Sequence, residues 1–128
     1  MSKYLTFPEM TFANLDLLLA ALKQLGYEYE SGTNLRLNGW GSQRRTADVV
    51  IRKDVIGATY GDVGFQKTPD GYIAIMDDID VRYIRNGNFL VDLKVEYGEQ
   101  FSAQLATNVH GTTMRRVEGK KIKITVRA

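Results

Sequence analysis

Leucines at positions 15, 18, 19, 22 and 25 share one face of a helix. A helix with one apolar face has to bury it against another element. Gly26 follows where helices commonly stop in a left-handed turn, and Thr11 or Asn14 can cap the start. The surroundings of this helix have strand character. Residues 4–7 read as a short strand ended by Pro8. Residues 27–30 and 34–37 alternate or favour β structure, and 47–52 read as a buried strand. Residues 62–66 and 72–76 flank Thr68-Pro69-Asp70-Gly71, whose proline and glycine predict a hairpin turn.

Residues 114–117 and 121–127 flank Glu118-Gly119-Lys120 and predict a second hairpin. Ile122, Ile124 and Val126 share one side of its last strand, opposite Lys123, Thr125 and Arg127. Residues 89–109 satisfy two templates. Val91, Leu93, Val95 and Tyr97 alternate with Asp92, Lys94 and Glu96 after the turn signal Asn86-Gly87. With helical period, Phe89, Leu90, Leu93, Tyr97, Phe101 and Leu105 form a stripe instead, although Gly98 costs such a helix about 1 kcal/mol relative to Ala.

Composition narrows the classes of function. The chain has 128 residues and no cysteine, which excludes disulfides, thiolate metal sites and cysteine nucleophiles. One histidine, His110, excludes a multi-histidine metal site. The 17 basic and 15 acidic residues leave a net charge of +2, too balanced to argue nucleic-acid binding from charge alone. No apolar run approaches the roughly 18 residues of a membrane span, and the start lacks the apolar core of a signal peptide. The expectation is a single α+β domain over residues 1–128, cytoplasmic, without cofactor, metal or membrane partner.

Several segments in order resemble an uncharacterised family of small proteins from cyanobacteria and red-algal plastids, with relatives in bacteria and phages. They are Met1-Ser2 leading into a short strand, Leu15-Asp16, Ala21-Leu22 with Leu25-Gly26, Ala47-Asp48-Val49-Val50-Ile51-Arg52, Asp62-Val63-Gly64-Phe65, Asp70-Gly71-Tyr72, Phe89-Leu90 with Leu93 and Tyr97, and residues 122–127. The resemblance implies a helix over 89–109. It brings no activity and no functional residues. Residues 77–88 replace the family's Trp-containing stretch, and residues 107–114 also depart from its pattern. The architecture expected is an antiparallel or mixed sheet with two helices on one face, ferredoxin-like with extra hairpins.

Four segments carry candidate chemistry. In the loop of residues 38–45, Gly39 and Gly41 let backbone approach a ligand, Trp40 can stack on a base, and Arg44 and Arg45 can grip a phosphate or carboxylate. The simpler reading is a hairpin loop with its tryptophan on the core and its arginines in water. His110, at the end of the second helix, suits the helix dipole better than acid–base work. Asp77, Asp78 and Asp80 offer oxygens for a hard cation but lack the spacing of a calcium loop, so a solvated loop or strand edge is the plainer reading. Arg115, Arg116, Lys120, Lys121, Lys123 and Arg127 make the last hairpin basic, for an acidic partner or to protect an edge strand.

No catalytic constellation emerges from these residues. The first expectation is a non-catalytic accessory protein that binds a protein partner or a second copy of itself. The second is a nucleotide or nucleic-acid binding module using Gly39, Trp40, Gly41, Arg44 and Arg45. The third is an enzyme using residues 77–80 with a divalent ion.

Overall fold

The computed structural model describes residues 3–40, 44–110, 114–118 and 121–125, with side chains as far as Thr107 and that of Arg44 excepted. Helix α1 (Leu15–Gln24) forms where the leucine spacing predicts it. Asn14 caps it, its side chain accepting from the Leu17 N–H at 3.0 Å. Gly26, at φ +94°, lets the end close on itself. Its N–H donates to the Lys23 carbonyl at 2.9 Å, and the Tyr27 N–H donates to that of Leu22 at 3.0 Å. Leu17, Leu18, Ala21 and Leu22 are buried, while Leu15, Leu19 and Leu25 pack at the rim of the same core.

Strands β1 (Tyr4–Phe12), β2 (Glu30–Asn38), β3 (Arg44–Ile51), β4 (Val63–Thr68) and β5 (Gly71–Asp77) form one sheet in the order β1-β5-β4-β3-β2. Every pair is antiparallel. The chain passes from one edge to the other through α1, then returns strand by strand, crossing a short helix α2 (Lys53–Ile56) between β3 and β4. The α+β class and the helices on the sheet are as expected; the strand order is a meander that closes on β1.

Two sequence expectations are corrected here. Pro8 does not end β1. The register shifts between Phe7 and Thr11, so the segment holding Pro8 bulges from the ladder of an edge strand and its missing N–H costs no ladder bond. Residues 27–30 and 34–37 are not two strands; Glu30 to Asn38 is one strand with an irregularity between Ser31 and Leu35, where Asn34 adopts φ +54°.

Helix α3 (Phe89–His110) follows a 3-10 turn over Asp80–Arg82 and a kinked segment over Ile84–Gly87, where Arg85 and Asn86 adopt φ +51° and +58°. The helical template for this segment is therefore the one adopted. The principal core lies between the sheet and α1 with α3, and includes Phe12, Leu18, Leu22, Phe65, Phe89 and Leu93. Tyr97 joins its rim edge-on to Phe12 and accepts a hydrogen bond from the Asn14 N–H at 2.9 Å. Phe101 and Leu105, expected on the same stripe, are instead half exposed. The reason is rotation: steps of four residues drift about 40° per step around a helix, so by position 105 the stripe has turned about 120° from Leu93.

A smaller cluster, with Tyr4, Leu37, Ala47, Val50 and Ile75, forms a second core. Just past the end of the β3–β4 ladder, the Asp48 carboxylate accepts the Lys67 N–H at 2.8 Å. The sheet curls enough for Leu37 and Ala47 to close on Gly64, where a Cβ would clash with both. Strands β6 (Met114–Glu118) and β7 (Lys121–Thr125) pair as a separate two-stranded sheet.

Candidate functional site

Three carboxylates, Asp62, Asp77 and Asp80, are each only 2% exposed. Burying a charge is costly unless it is hydrogen-bonded, and each of these is. Asp80 gathers three successive backbone donors: Thr59 N–H on Oδ1 at 2.9 Å, and Tyr60 and Gly61 N–H on Oδ2 at 2.9 and 3.1 Å. Asp77 accepts from the N–H groups of Ile79 and Asp80 at 2.8 and 3.1 Å. Asp62 accepts from Asn38 N–H, Arg52 Nη1 and Lys53 N–H at 2.9, 2.8 and 2.8 Å. The solvated edge read from the sequence for residues 77–80 is thus corrected for Asp77 and Asp80. Both side chains turn inward: Asp80 fixes the loop between α2 and β4, and Asp77 fixes the turn that follows β5. Among the described residues, no group of three His, Asp or Glu side chains is placed to hold a metal ion.

Arg52 ties this region to β2. It makes a two-pronged contact with Glu30 at 2.7 and 2.8 Å, and Nη1 donates to the Arg36 carbonyl at 2.8 Å. That pairing raises the arginine's pKa and lowers that of Glu30. Tyr4 stands among the three carboxylates. Burial pushes its phenol well above the ordinary range, and the charges of Asp62, Asp77 and Asp80 add to the effect. Its hydroxyl donates to the Asn38 carbonyl at 3.2 Å, joining the two edge strands at one end.

The candidate loop runs out from this corner. Gly39 sits against the Tyr4 ring, so its missing Cβ is space that the tyrosine fills, as is that of Gly61. Trp40 is 49% exposed and stands edge-on to Tyr60, ring centroids 6.2 Å apart. Gly41 lies outside the described residues. Arg44 opens β3, its backbone paired with Asn38. Arg45 is half-buried and lines an open groove of about 510 Å³ with Arg36, Asn34, Thr46 and Gln66. The structure therefore places Gly39, Trp40 and Arg45 on one β2–β3 hairpin. Tyr60 and Arg36 were not singled out in the sequence; strand pairing brings in Arg36, and the Asp80-bound loop brings in Tyr60. The side chains of His110 and of the basic residues 115–127 lie outside the described residues.

A second surface was hidden in the helical stripe. On α3, Val91, Val95, Phe101 and Leu105 are 51%, 60%, 50% and 51% exposed. Three of the helix's charged groups are engaged within the chain: Asp92 pairs with Arg85 at 2.8 Å, Lys94 Nζ donates to the Thr11 carbonyl at 2.9 Å above the Phe12 and Tyr97 rings, and Glu96 accepts from Gln100 at 3.0 Å. Burial raises the Glu96 pKa, partly offset by that hydrogen bond. Among the described residues, no helix is long and apolar enough to cross a membrane.

These features define an α+β domain: a curled antiparallel sheet pinned by buried carboxylates, covered by two helices of which the longer exposes an apolar stripe. The chain belongs to a family described as protein of unknown function (DUF1257), whose model matches residues 21–122. No curated protein and no solved structure matches it.

Proposed function

We propose that this chain is a non-catalytic accessory protein that binds a protein partner or a second copy of itself through the outer face of α3. The observation that supports the reading is the run of half-exposed apolar side chains at Val91, Val95, Phe101 and Leu105. Single exposed apolar residues are ordinary, but a contiguous stripe on one helix is the form that helix docking takes. The buried carboxylates fit the same reading, since their oxygens are turned to backbone and Arg52 rather than to a substrate.

The chain has no cysteine, so single cysteines at 95, 101 and 70 can each carry an environment-sensitive dye. Association through α3 blue-shifts emission at 95 and 101 and leaves position 70, on the β4–β5 turn, unchanged. Equal shifts at all three positions, or none with any protein tested, contradict the reading.

A second reading rests on a different observation. Arg36 and Arg45 line one groove on the hairpin that carries the half-exposed Trp40, which suits a nucleotide or a short single strand. Such sites combine a positively charged groove with aromatic rings on which bases stack. Titration of Trp40 fluorescence with single-stranded oligonucleotides tests it. Saturable quenching that weakens as salt rises supports it; a flat response at low salt contradicts it. The resemblance to cyanobacterial and plastid reading frames adds no activity to either reading.

A further inference from the structure

We infer that α3 pairs antiparallel with α3 of a second copy of this chain, across a two-fold axis through Gly98. The inference rests on the reading of α3 as a docking face and names its occupant.

The exposed positions Val91, Val95, Gly98, Phe101 and Leu105 are separated by 4, 3, 3 and 4 residues. That spacing is palindromic about Gly98. A two-fold interface must be self-complementary, with residue i meeting j and j meeting i. An antiparallel pair centred on Gly98 sets Val91 against Leu105 of the second copy, and Val95 against its Phe101. An asymmetric partner imposes no such symmetry on the stripe.

Gly98 supplies the second argument. A Cβ added there meets nothing within 4 Å, so the fold of a single chain does not require glycine at this position. Glycine in a helix interior nevertheless weakens the helix relative to alanine. What it offers is close approach of another backbone, at the centre of the stripe.

Charge and area set the strength. Asp92, Lys94 and Glu96 are held by partners within their own chain, so pairing buries none of them uncompensated. Glu99 flanks the seam at its rim, half exposed. From Val91 to Leu105 the seam is about 21 Å long and about 10 Å wide. This is small beside the roughly 800 Å² per partner of a standard stable interface. The dimer is therefore weak and reversible rather than a permanent assembly.

Sedimentation equilibrium of the whole chain across the micromolar range tests this, alongside Val95→Glu and Gly98→Leu. The wild type is expected to rise with concentration toward twice the monomer mass, and both variants to stay monomeric. Gly98→Leu is the discriminating variant: leucine has open space in the monomer and favours the helix, so the chain should fold at least as stably while losing association. Self-association that survives Gly98→Leu overturns the pairing about Gly98. A wild type that remains monomeric, with a dye at position 95 still shifting against another protein, overturns the second copy but leaves the docking face. A wild type that remains monomeric, and that Val95→Glu unfolds, overturns both, because the stripe is then covered within its own chain.

Discussion

Asn38 and Asp62 hold each other twice. The Asn38 N–H donates to the Asp62 carboxylate at 2.9 Å, and the Asp62 N–H donates to the Asn38 carbonyl at 3.0 Å. These residues end β2 and precede β4, two strands that are not neighbours in the sheet. The exchange fixes the curl of the sheet and brings Asn38 within reach of Tyr4.

Replacing Asp62 with alanine should therefore cost more than one hydrogen bond. It leaves the Asn38 and Lys53 N–H groups without their acceptor, and Arg52 with Glu30 and the Arg36 carbonyl. Each buried donor left unsatisfied costs about 1–3 kcal/mol. Arg52 is partly exposed and contributes less. Urea unfolding should show a loss of about 2–4 kcal/mol, and a loss below about 1 kcal/mol would contradict the structural role.

Asp80 acts more locally. Asp80→Ala removes the acceptor of Thr59, Tyr60 and Gly61, so those three amides should exchange hydrogen far faster than the flanking strands. Asp80→Asn keeps one acceptor oxygen and should fall between the two. Unchanged protection in Asp80→Ala would show that the loop holds its shape without the carboxylate.

Tyr4 gives a prediction in pH. Its folded-state pKa is raised above the ordinary phenol value near 10. The unfolded chain therefore releases this proton first as pH rises. The stabilising contribution is complete below about pH 10 and is lost progressively above it. Tyr4→Phe keeps the ring, removes the bond to the Asn38 carbonyl, and should flatten the alkaline fall in stability. An equally steep fall in Tyr4→Phe would assign it to other groups.

Gly39 and Gly61 should tolerate no Cβ while Tyr4 is present, because an added carbon at either runs into its ring. Overpacking of this kind costs about 1–3 kcal/mol. Gly61→Ala combined with Tyr4→Ala should lose less than the sum of the two single changes. Strict additivity would separate the glycine from the tyrosine.

Much of this fold was legible because local signals agreed with the global answer. Asn14, the leucine spacing and Gly26 specify α1 at its start, face and end. The Pro69-Asp70-Gly71 turn sets the register of β4 on β5. What was not legible depends on residues far apart in sequence. Nothing local marks Asp62 as the acceptor for Asn38, 24 positions away. Nothing near Asp77 and Asp80 distinguishes an inward acidic turn from a solvated one, because the donors of Asp80 lie 19 to 21 positions earlier. Phe101 and Leu105 misled for a geometric reason, since a four-residue repeat looks like one face until its drift is summed. In the site itself, the loop carrying Gly39 and Trp40 could be seen, but the groove that joins Arg45 to Arg36 needed the β2–β3 pairing.

The claim that the outer face of α3 serves association rather than folding is tested most directly by urea unfolding of Val95→Glu/Phe101→Glu beside the wild type, at low and at high protein concentration. Association stabilises the folded state by mass action. At low concentration the two chains should unfold within about 0.5 kcal/mol of each other, the ordinary range for surface changes. At high concentration only the wild type should gain stability. A variant weaker by the same amount at both concentrations would make the stripe part of the chain's own core.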